Sequence, residues 1–339
     1  MDLKRLGDYL RMRLPSVLGE PEVEQFRQGS SNLTYLLKLG TAEYVLRRPP
    51  FGNTVRTAHD MQREYSVLTR LGIIYPPAPE PILFCDDESV IGAPFYLMER
   101  KDGLIIRGDA PAAIKESREM QAALCRSFME NLAELHTVDY AFAELDELGK
   151  PEGYCRRQVE GWSQRYAAAR TDESREIDEA AKWLGDNIPE ESGAALIHND
   201  YKFDNLMLDP DDLTRIVAVL DWEMVTVGDP LMDLGTTLGY WMSPDAGEEL
   251  MNQAFNPRVL MENFTRQDLV DLYAEAAGRE MPNMVFYYVF GTFKIAVIAQ
   301  QIYARYARGT TKDERFGSYG RFAQALGRIG VEAIERGGI

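Results

Sequence analysis

His198-Asn199-Asp200-Tyr201-Lys202-Phe203-Asp204-Asn205, followed sixteen residues after its Asn by Asp221-Trp222-Glu223, is the stretch that decides how this chain is read. It supplies a carboxylate, a cation, an amide and a second carboxylate at fixed spacing. Phosphoryl transfer asks for such a set, because the protein itself does little covalent chemistry there. It needs a base to orient an attacking hydroxyl, oxygen ligands for magnesium, and positive charge on the phosphates. Asp200 fits the base, Lys202 the cation beside the transferring phosphoryl, and Asn205 with Asp221 the metal ligands. Between them, Asn205–Asp209 and Ile216–Leu220 read as two short strands joined by Pro210-Asp211-Asp212, a good turn. A hairpin there would bring Asn205 and Asp221 back to the same end, where both could touch one ion.

Upstream the pattern is mostly β. Val23–Phe26, Thr34–Leu37 and Tyr44–Arg47 alternate and carry strand formers, with Gly29-Ser30-Ser31-Asn32 and Gly40-Thr41 as turns. Thr57–Leu71 reads as a helix, its Met61, Tyr65, Leu68 and Leu71 at helical spacing. The run Tyr75-Pro-Pro-Ala-Pro-Glu-Pro81 is extended, since proline excludes helix there. Strands follow near Ile82–Cys85 and Pro94–Met98, and beyond Lys101-Asp102-Gly103 the pattern turns mostly helical. Downstream, Asp229 reads as a helix N-cap with Pro230 at the first helical position.

The loop motif H-x-D-x-x-x-x-N, with Asp221 behind it, resembles the aminoglycoside phosphotransferase/choline kinase superfamily. The strings Leu196–Leu208 (L-I-H-N-D-Y-K-F-D-N-L-M-L) and Val219–Leu234 (V-L-D-W-E-M-V-T-V-G-D-P-L-M-D-L) resemble one branch more closely. Its members occur alone in bacteria and fused to acyl-CoA dehydrogenases in animals. The resemblance implies a bilobal, protein-kinase-like α+β fold. Residues 1–99 would form the nucleotide-binding lobe, 100–103 the hinge and 104–339 the catalytic and substrate-binding lobe, with ATP in the cleft. Ser30 and Ser31 would contact phosphates, although the loop has one glycine where protein kinases have G-x-G-x-x-G. Arg47 stands where a kinase carries its phosphate-binding Lys; a guanidinium grips phosphate bidentately, so the role survives. Glu64 would be its ion-pair partner. The Glu99 carbonyl and the Lys101 amide would read the adenine edge, with Met98 lining the pocket. His198 and Asp233 would brace the catalytic loop.

Bulk properties bound the alternatives. The chain has 339 residues, 45% hydrophobic and 27% charged, with a formal net charge of −17. Those proportions are ordinary for a globular protein, and the charge argues against nucleic acid and anionic membranes as partners. Three widely spaced cysteines, Cys85, Cys125 and Cys155, fit neither a disulfide framework nor a zinc pattern. The N-terminus, Met-Asp-Leu-Lys-Arg-Leu-Gly-Asp, lacks an apolar signal core, so a cytoplasmic setting is expected. Val285–Tyr303 is apolar enough to span a bilayer, but Lys294 in its middle points to a buried core helix. His136 is read as core-facing and His59 as exposed.

The acceptor is expected to be a small hydroxylated molecule, because little room follows Asp221 for an activation segment and no A-P-E motif occurs there. The 150–185 region, with Tyr154, Arg157, Trp162 and Arg165, reads as an insertion on the substrate side. Amphipathic packing explains its aromatics about as well as ligand contact does. Three readings stand at this point: a kinase for a hydroxyacyl compound such as a hydroxyacyl-CoA, an aminoglycoside or choline-type kinase, and a catalytically idle nucleotide-binding module. Oligomeric state is not legible.

Overall fold

The computed structural model describes residues 1–339 except 16–18, 27–31, 51–59, 254 and 312. Its contacts divide the chain into two compact units. The first holds Met1–Gly103 with Ala141–Leu145 and Val217–Glu223; the second holds Leu104–Tyr140, Asp146–Ile216 and Met224–Ile339.

In the first unit, helix α1 (Leu3–Arg13) was not legible as an element, yet its cause is local. Asp2 accepts from the Lys4 and Arg5 amides as N-cap, and Leu6 and Leu10, one turn apart, are buried. Strands β1 (Pro21–Gln25), β2 (Leu33–Leu39), β3 (Ala42–Arg48), β4 (Pro81–Cys85) and β5 (Phe95–Glu99) form one sheet in the order β1-β2-β3-β5-β4. Every neighbouring pair is antiparallel. Leu37, Leu39, Leu46, Phe95 and Leu97 from the sheet meet Leu6 and Leu10 of α1, with Val90 and Ile91 of the short α3 (Glu88–Ile91), in a single apolar cluster. Helix α2 (Met61–Leu71) starts after its Asp60 cap; of the Thr57–Leu71 helix expected from periodicity, 57–59 lie outside the described residues.

The second unit is mostly helical. In chain order it contains α4 (Ala112–Lys115), α5 (Arg118–Thr137), α6 (Tyr154–Ala169), α7 (Arg175–Asp186), α8 (Pro230–Tyr240), α9 (Glu248–Met251), α10 (Arg258–Asn263), α11 (Arg266–Ala277), α12 (Met284–Ala307) and α13 (Tyr319–Arg336). Short strands β6 (Ala195–Ile197) and β9 (Thr226–Gly228) pair antiparallel; β7 (Leu206–Leu208) is a further short strand here, and β8 (Ile216–Val219) lies, but for Ile216, in the first unit. One expectation is corrected here. Asn205 does not open a strand but ends a 3₁₀ turn, Phe203–Asn205, because its side chain is bonded back to Asp200.

All eleven residues of α8 are buried, and α12 packs against α8, α13, α6 and α7. The apolar run around Lys294 is therefore a core helix: 78% of its most apolar window is buried inside the protein. Helices α8 and α12 touch backbone to backbone. A Cβ on Gly235 would collide with the Tyr287 carbonyl, and one on Gly291 with the Gly235 carbonyl. All three cysteines are free and buried.

Candidate active site

Two clusters of charged side chains hold the candidate residues, one in each unit. In the first unit, β3 turns successive side chains to opposite faces. Arg48 is fully buried and donates to the Ile91 carbonyl at 2.9 Å. Arg47 faces the other way, where Nη1 lies 3.1 Å from Glu64 Oε1 on α2 and Nη2 donates to Asp221 Oδ1 at 2.9 Å. Arg47 and Glu64 are 7% and 3% exposed, so both ions sit in low dielectric. Burial alone would depress the guanidinium, but Glu64 and Asp221 outweigh it and its pKa is raised. Burial pushes the Glu64 carboxyl up despite Arg47, with the Asp221 charge adding to the rise. Arg47 Nε has no hydrogen-bond partner among the described residues.

Asp221 has φ 68°, in the left-handed region that few residues other than glycine enter. Its turn is held by neighbours in the same unit. Trp222 Nε1 donates to the Val219 carbonyl at 2.8 Å, the Trp222 ring meets Tyr75 edge-on, and the Val219 amide donates to the Pro77 carbonyl at 2.9 Å. Asn32 donates to Glu223 at 3.0 Å. Ser30 and Ser31 lie outside the described residues. Met98 is buried on β5, Glu99 accepts from the Glu80 amide at 2.8 Å, and the Lys101 ammonium pairs with Glu99 at 2.7 Å.

In the second unit the loop after β6 is gripped from below by α8. Asp233 accepts from the His198 amide and the Asn199 amide, each at 2.7 Å, and from His136 Nε2 at 3.1 Å. His136 Nδ1 is then the acceptor for the Tyr273 hydroxyl at 2.7 Å. His198 is fully buried, and its Nδ1 accepts from the Asp200 amide at 3.2 Å, which places its proton on Nε2. Asn199, φ 68°, turns the chain so that Asp200 stands clear of the strand.

Asp200 is met by three donors. Tyr240 donates to Oδ1 at 2.7 Å; Lys202 and, at 2.9 Å, the Asn205 amide donate to Oδ2. Burial would raise this carboxyl, but the Lys202 ammonium and the hydrogen bonds outweigh it, and its pKa is held below the ordinary value. The result is a half-buried but ionised carboxylate, the form a proton acceptor needs. Asn205 also donates to the Asp200 carbonyl at 2.9 Å. Both partners are pure acceptors, so the amide nitrogen must face them and Oδ1 is left for a cation.

Sequence reasoning missed Tyr240 and Thr237. Thr237 donates to the Tyr201 carbonyl at 3.0 Å, so Asp233, Thr237 and Tyr240 form one stripe of α8 aimed at the loop. Their i, i+4, i+7 spacing was visible, and polar residues on a helix buried all round were the available signal. Lys294 was noticed only as an obstacle to membrane insertion. Its ammonium donates to the Asn199 carbonyl at 2.7 Å.

The four residues read as facing substrate divide two and two. Tyr154 is buried, its hydroxyl 3.4 to 3.5 Å from the Asn199 side chain, and Trp162 is buried beneath Arg165, whose guanidinium lies 4.5 Å from its ring centroid. Arg165 and Arg157 are exposed, the latter donating to the Glu152 and Lys150 carbonyls.

Solved structures share this architecture. A protein of Ralstonia eutropha JMP134, provisionally described as an aminoglycoside phosphotransferase, superposes with TM-score 0.82 at 30% identity, covering 99% of this chain and 98% of the other. Choline kinase from Cryptosporidium parvum Iowa II gives TM-score 0.66 at 13% identity, with 99% and 97% covered, a likeness of fold. The aminoglycoside phosphotransferase APH(4)-Ia, in complex with ADP and hygromycin B, gives 0.55 at 16% identity, covering 97% and 98%. The fold is thus the kinase-like α+β fold of phosphotransferases. Acyl-CoA dehydrogenase family member 11 of Gallus gallus is 35% identical over 343 residues, 99% of this chain and 44% of that protein. Family member 10 of Mus musculus is 30% identical over 313 residues, 92% of this chain and 29% of its own. The chain spans less than half the length of these relatives. The sequence model of the phosphotransferase enzyme family matches residues 22–262, and to that family the chain belongs.

Proposed function

We propose that this phosphotransferase moves the γ-phosphoryl group of ATP, with magnesium, to a hydroxyl of a hydroxyacyl compound such as a hydroxyacyl-CoA. The observation that carries the transfer is Asp200: half-buried, ionised and held by Tyr240, Lys202 and Asn205. Such a carboxylate aims an alcohol and accepts its proton as the bond to phosphorus forms.

The donor set fits magnesium. Asp221 and Asn205 Oδ1 are hard oxygen ligands, and magnesium prefers few protein ligands completed by phosphates and water. When bound, the metal neutralises charge on the β- and γ-phosphates. In this reading Arg47 leaves Asp221 for the phosphates, while Glu64 keeps it aimed. Lys202 would balance charge near the transferred group. The Glu99 carbonyl and Lys101 amide would receive adenine beside Met98, and Ser30 and Ser31 would meet phosphates. Tyr154 and Trp162 would shape the acceptor side from within, and Arg157 and Arg165 from the surface.

Support for a hydroxyacyl acceptor comes from the relatives named as acyl-CoA dehydrogenases, which match this chain over almost its whole length. The exposed arginines of α6, Arg156, Arg157 and Arg165, suit an anionic molecule. The solved relative described as an aminoglycoside phosphotransferase favours the second reading. The deciding experiment offers magnesium-ATP and a panel of hydroxyacyl-CoA thioesters, free hydroxy acids, choline and aminoglycosides. Phosphorylated hydroxyacyl-CoA, absent with Asp200→Asn, is the expected product. Transfer to choline or an aminoglycoside alone would replace the hydroxyacyl reading, and ATP binding with no transfer to anything would favour the idle module.

A further inference from the structure

We propose that Lys294 is a positioning residue that locks the Asn199–Asp200 peptide and so fixes the direction of the Asp200 carboxylate. It rests on the reading of Asp200 as the base. Lys294 stands in the middle of α12, 2% exposed, within an otherwise apolar stretch. A lone ammonium there is costly unless strongly bonded. It donates to the Asn199 carbonyl at 2.7 Å and lies 3.3 Å from Asn199 Oδ1, so it grips both the backbone and the side chain of one residue.

That residue has a left-handed backbone, φ 68°. Asparagine enters the left-handed region more easily than most residues, and here the contacts around it hold it there. The Asn199 amide is bound by Asp233, its side-chain nitrogen donates to the Met224 carbonyl at 3.0 Å, and its carbonyl goes to Lys294. The peptide beyond that carbonyl carries the Asp200 amide, held by His198. Release the carbonyl, and the plane of this peptide can rotate, carrying the Asp200 side chain with it. Around Lys294 stand Trp162 and Arg165 of α6, Asp233 of α8, and Asp200 and Lys202 of the loop. Asp233 and Asp200 supply the countercharge; Lys202 and Arg165 oppose it, and burial brings the ammonium down to about 8. The backbone contact of α8 with α12 is what brings the Lys294 side chain within reach of the loop.

The test uses Lys294→Met and Lys294→Arg in the full chain. Hydrogen exchange is followed over 195–206, with α5 as internal control, alongside affinity for magnesium-ATP and phosphoryl turnover. In Lys294→Met the loop should exchange faster, and turnover should fall, by about ten- to a hundredfold, the worth of a charged hydrogen bond. Control protection and ATP affinity should stay unchanged, and Lys294→Arg should recover part of both losses. Unchanged loop exchange in Lys294→Met would overturn the proposal. So would protection lost equally in α5, which would make Lys294 a general core residue, or a loss confined to ATP affinity. Exchange is read without any acceptor, so failure of the proposed reaction would be told apart from failure of this inference.

Discussion

The Arg47 and Asp200 clusters are both charged and largely shielded from solvent, but they are finished to different degrees. Around Asp200 both carboxylate oxygens have donors, from Tyr240, Lys202 and Asn205. Around Arg47 the ions pair with Glu64 and Asp221, yet Nε has no partner among the described residues, and Asp221 is about one-third exposed (32%). A satisfied group is fixed in place before any ligand arrives. A half-satisfied one keeps bonding capacity that an incoming phosphate or metal can use. On the proposed reading, the difference would mean that the base is prebuilt, while the nucleotide side is completed by its ligand.

The sharpest attack on this contrast is Asp200→Asn. It preserves shape and removes the charge, and loss of a general base typically costs about a hundred- to ten-thousandfold in rate. Calorimetry should find magnesium-ATP affinity retained, because on the proposed reading the nucleotide binds at the other cluster. Full activity would reduce Asp200 to a turn residue.

Arg47→Ala comes next and attacks the unfinished side. Losing a charge-assisted phosphate contact should weaken ATP binding about ten- to a hundredfold, with Arg47→Lys retaining part of it because charge survives without the fork. Equal affinities for wild type and Arg47→Ala would move the phosphate clamp elsewhere. The buried Arg48, tied to the Ile91 carbonyl, is poorly placed to take over.

The smallest effect belongs to Tyr240→Phe, which leaves the base but removes one of its donors. Turnover should fall about tenfold, within the usual worth of a hydrogen bond to a charged group. The pH profile carries the sign. Hydrogen bonds hold the Asp200 pKa down by favouring its charged form. Without the Tyr240 hydroxyl that pKa rises, so activity should be lost at a higher pH on acidification than in the wild type. An unmoved acid limb would show that Tyr240 only fills space.

Asp200, Lys202 and Asn205 could be picked out together because phosphoryl transfer constrains residue type and spacing over a short stretch, and the structure brings their side chains into contact. Asp229 was likewise readable as a cap: it accepts from the Leu231 amide, with Pro230 beside it. Strands β2 and β3 followed from alternation, with ends misplaced by a residue or two. What stayed hidden was anything created by long-range packing. His136 is 97 positions from Asp233, and Lys294 is 95 from Asn199, distances over which no local pattern operates. Asn205 was misread as strand because its 3₁₀ turn depends on a side-chain bond to Asp200. Helix α1 was overlooked although its cap and its two buried leucines are local signals.

The stripe of Asp233, Thr237 and Tyr240 also sets a rule for how this segment can change over time. Each residue added to a helix turns the remainder of that helix by about 100° and advances it by about 1.5 Å. An insertion or deletion of a single residue between Asp233 and Tyr240 would leave Asp233 on the loop backbone while swinging Tyr240 away from Asp200. The segment can therefore tolerate exchanges of side chain at its other positions where volume allows, but not a change of length. Its spacing, more than its composition, is what these contacts require.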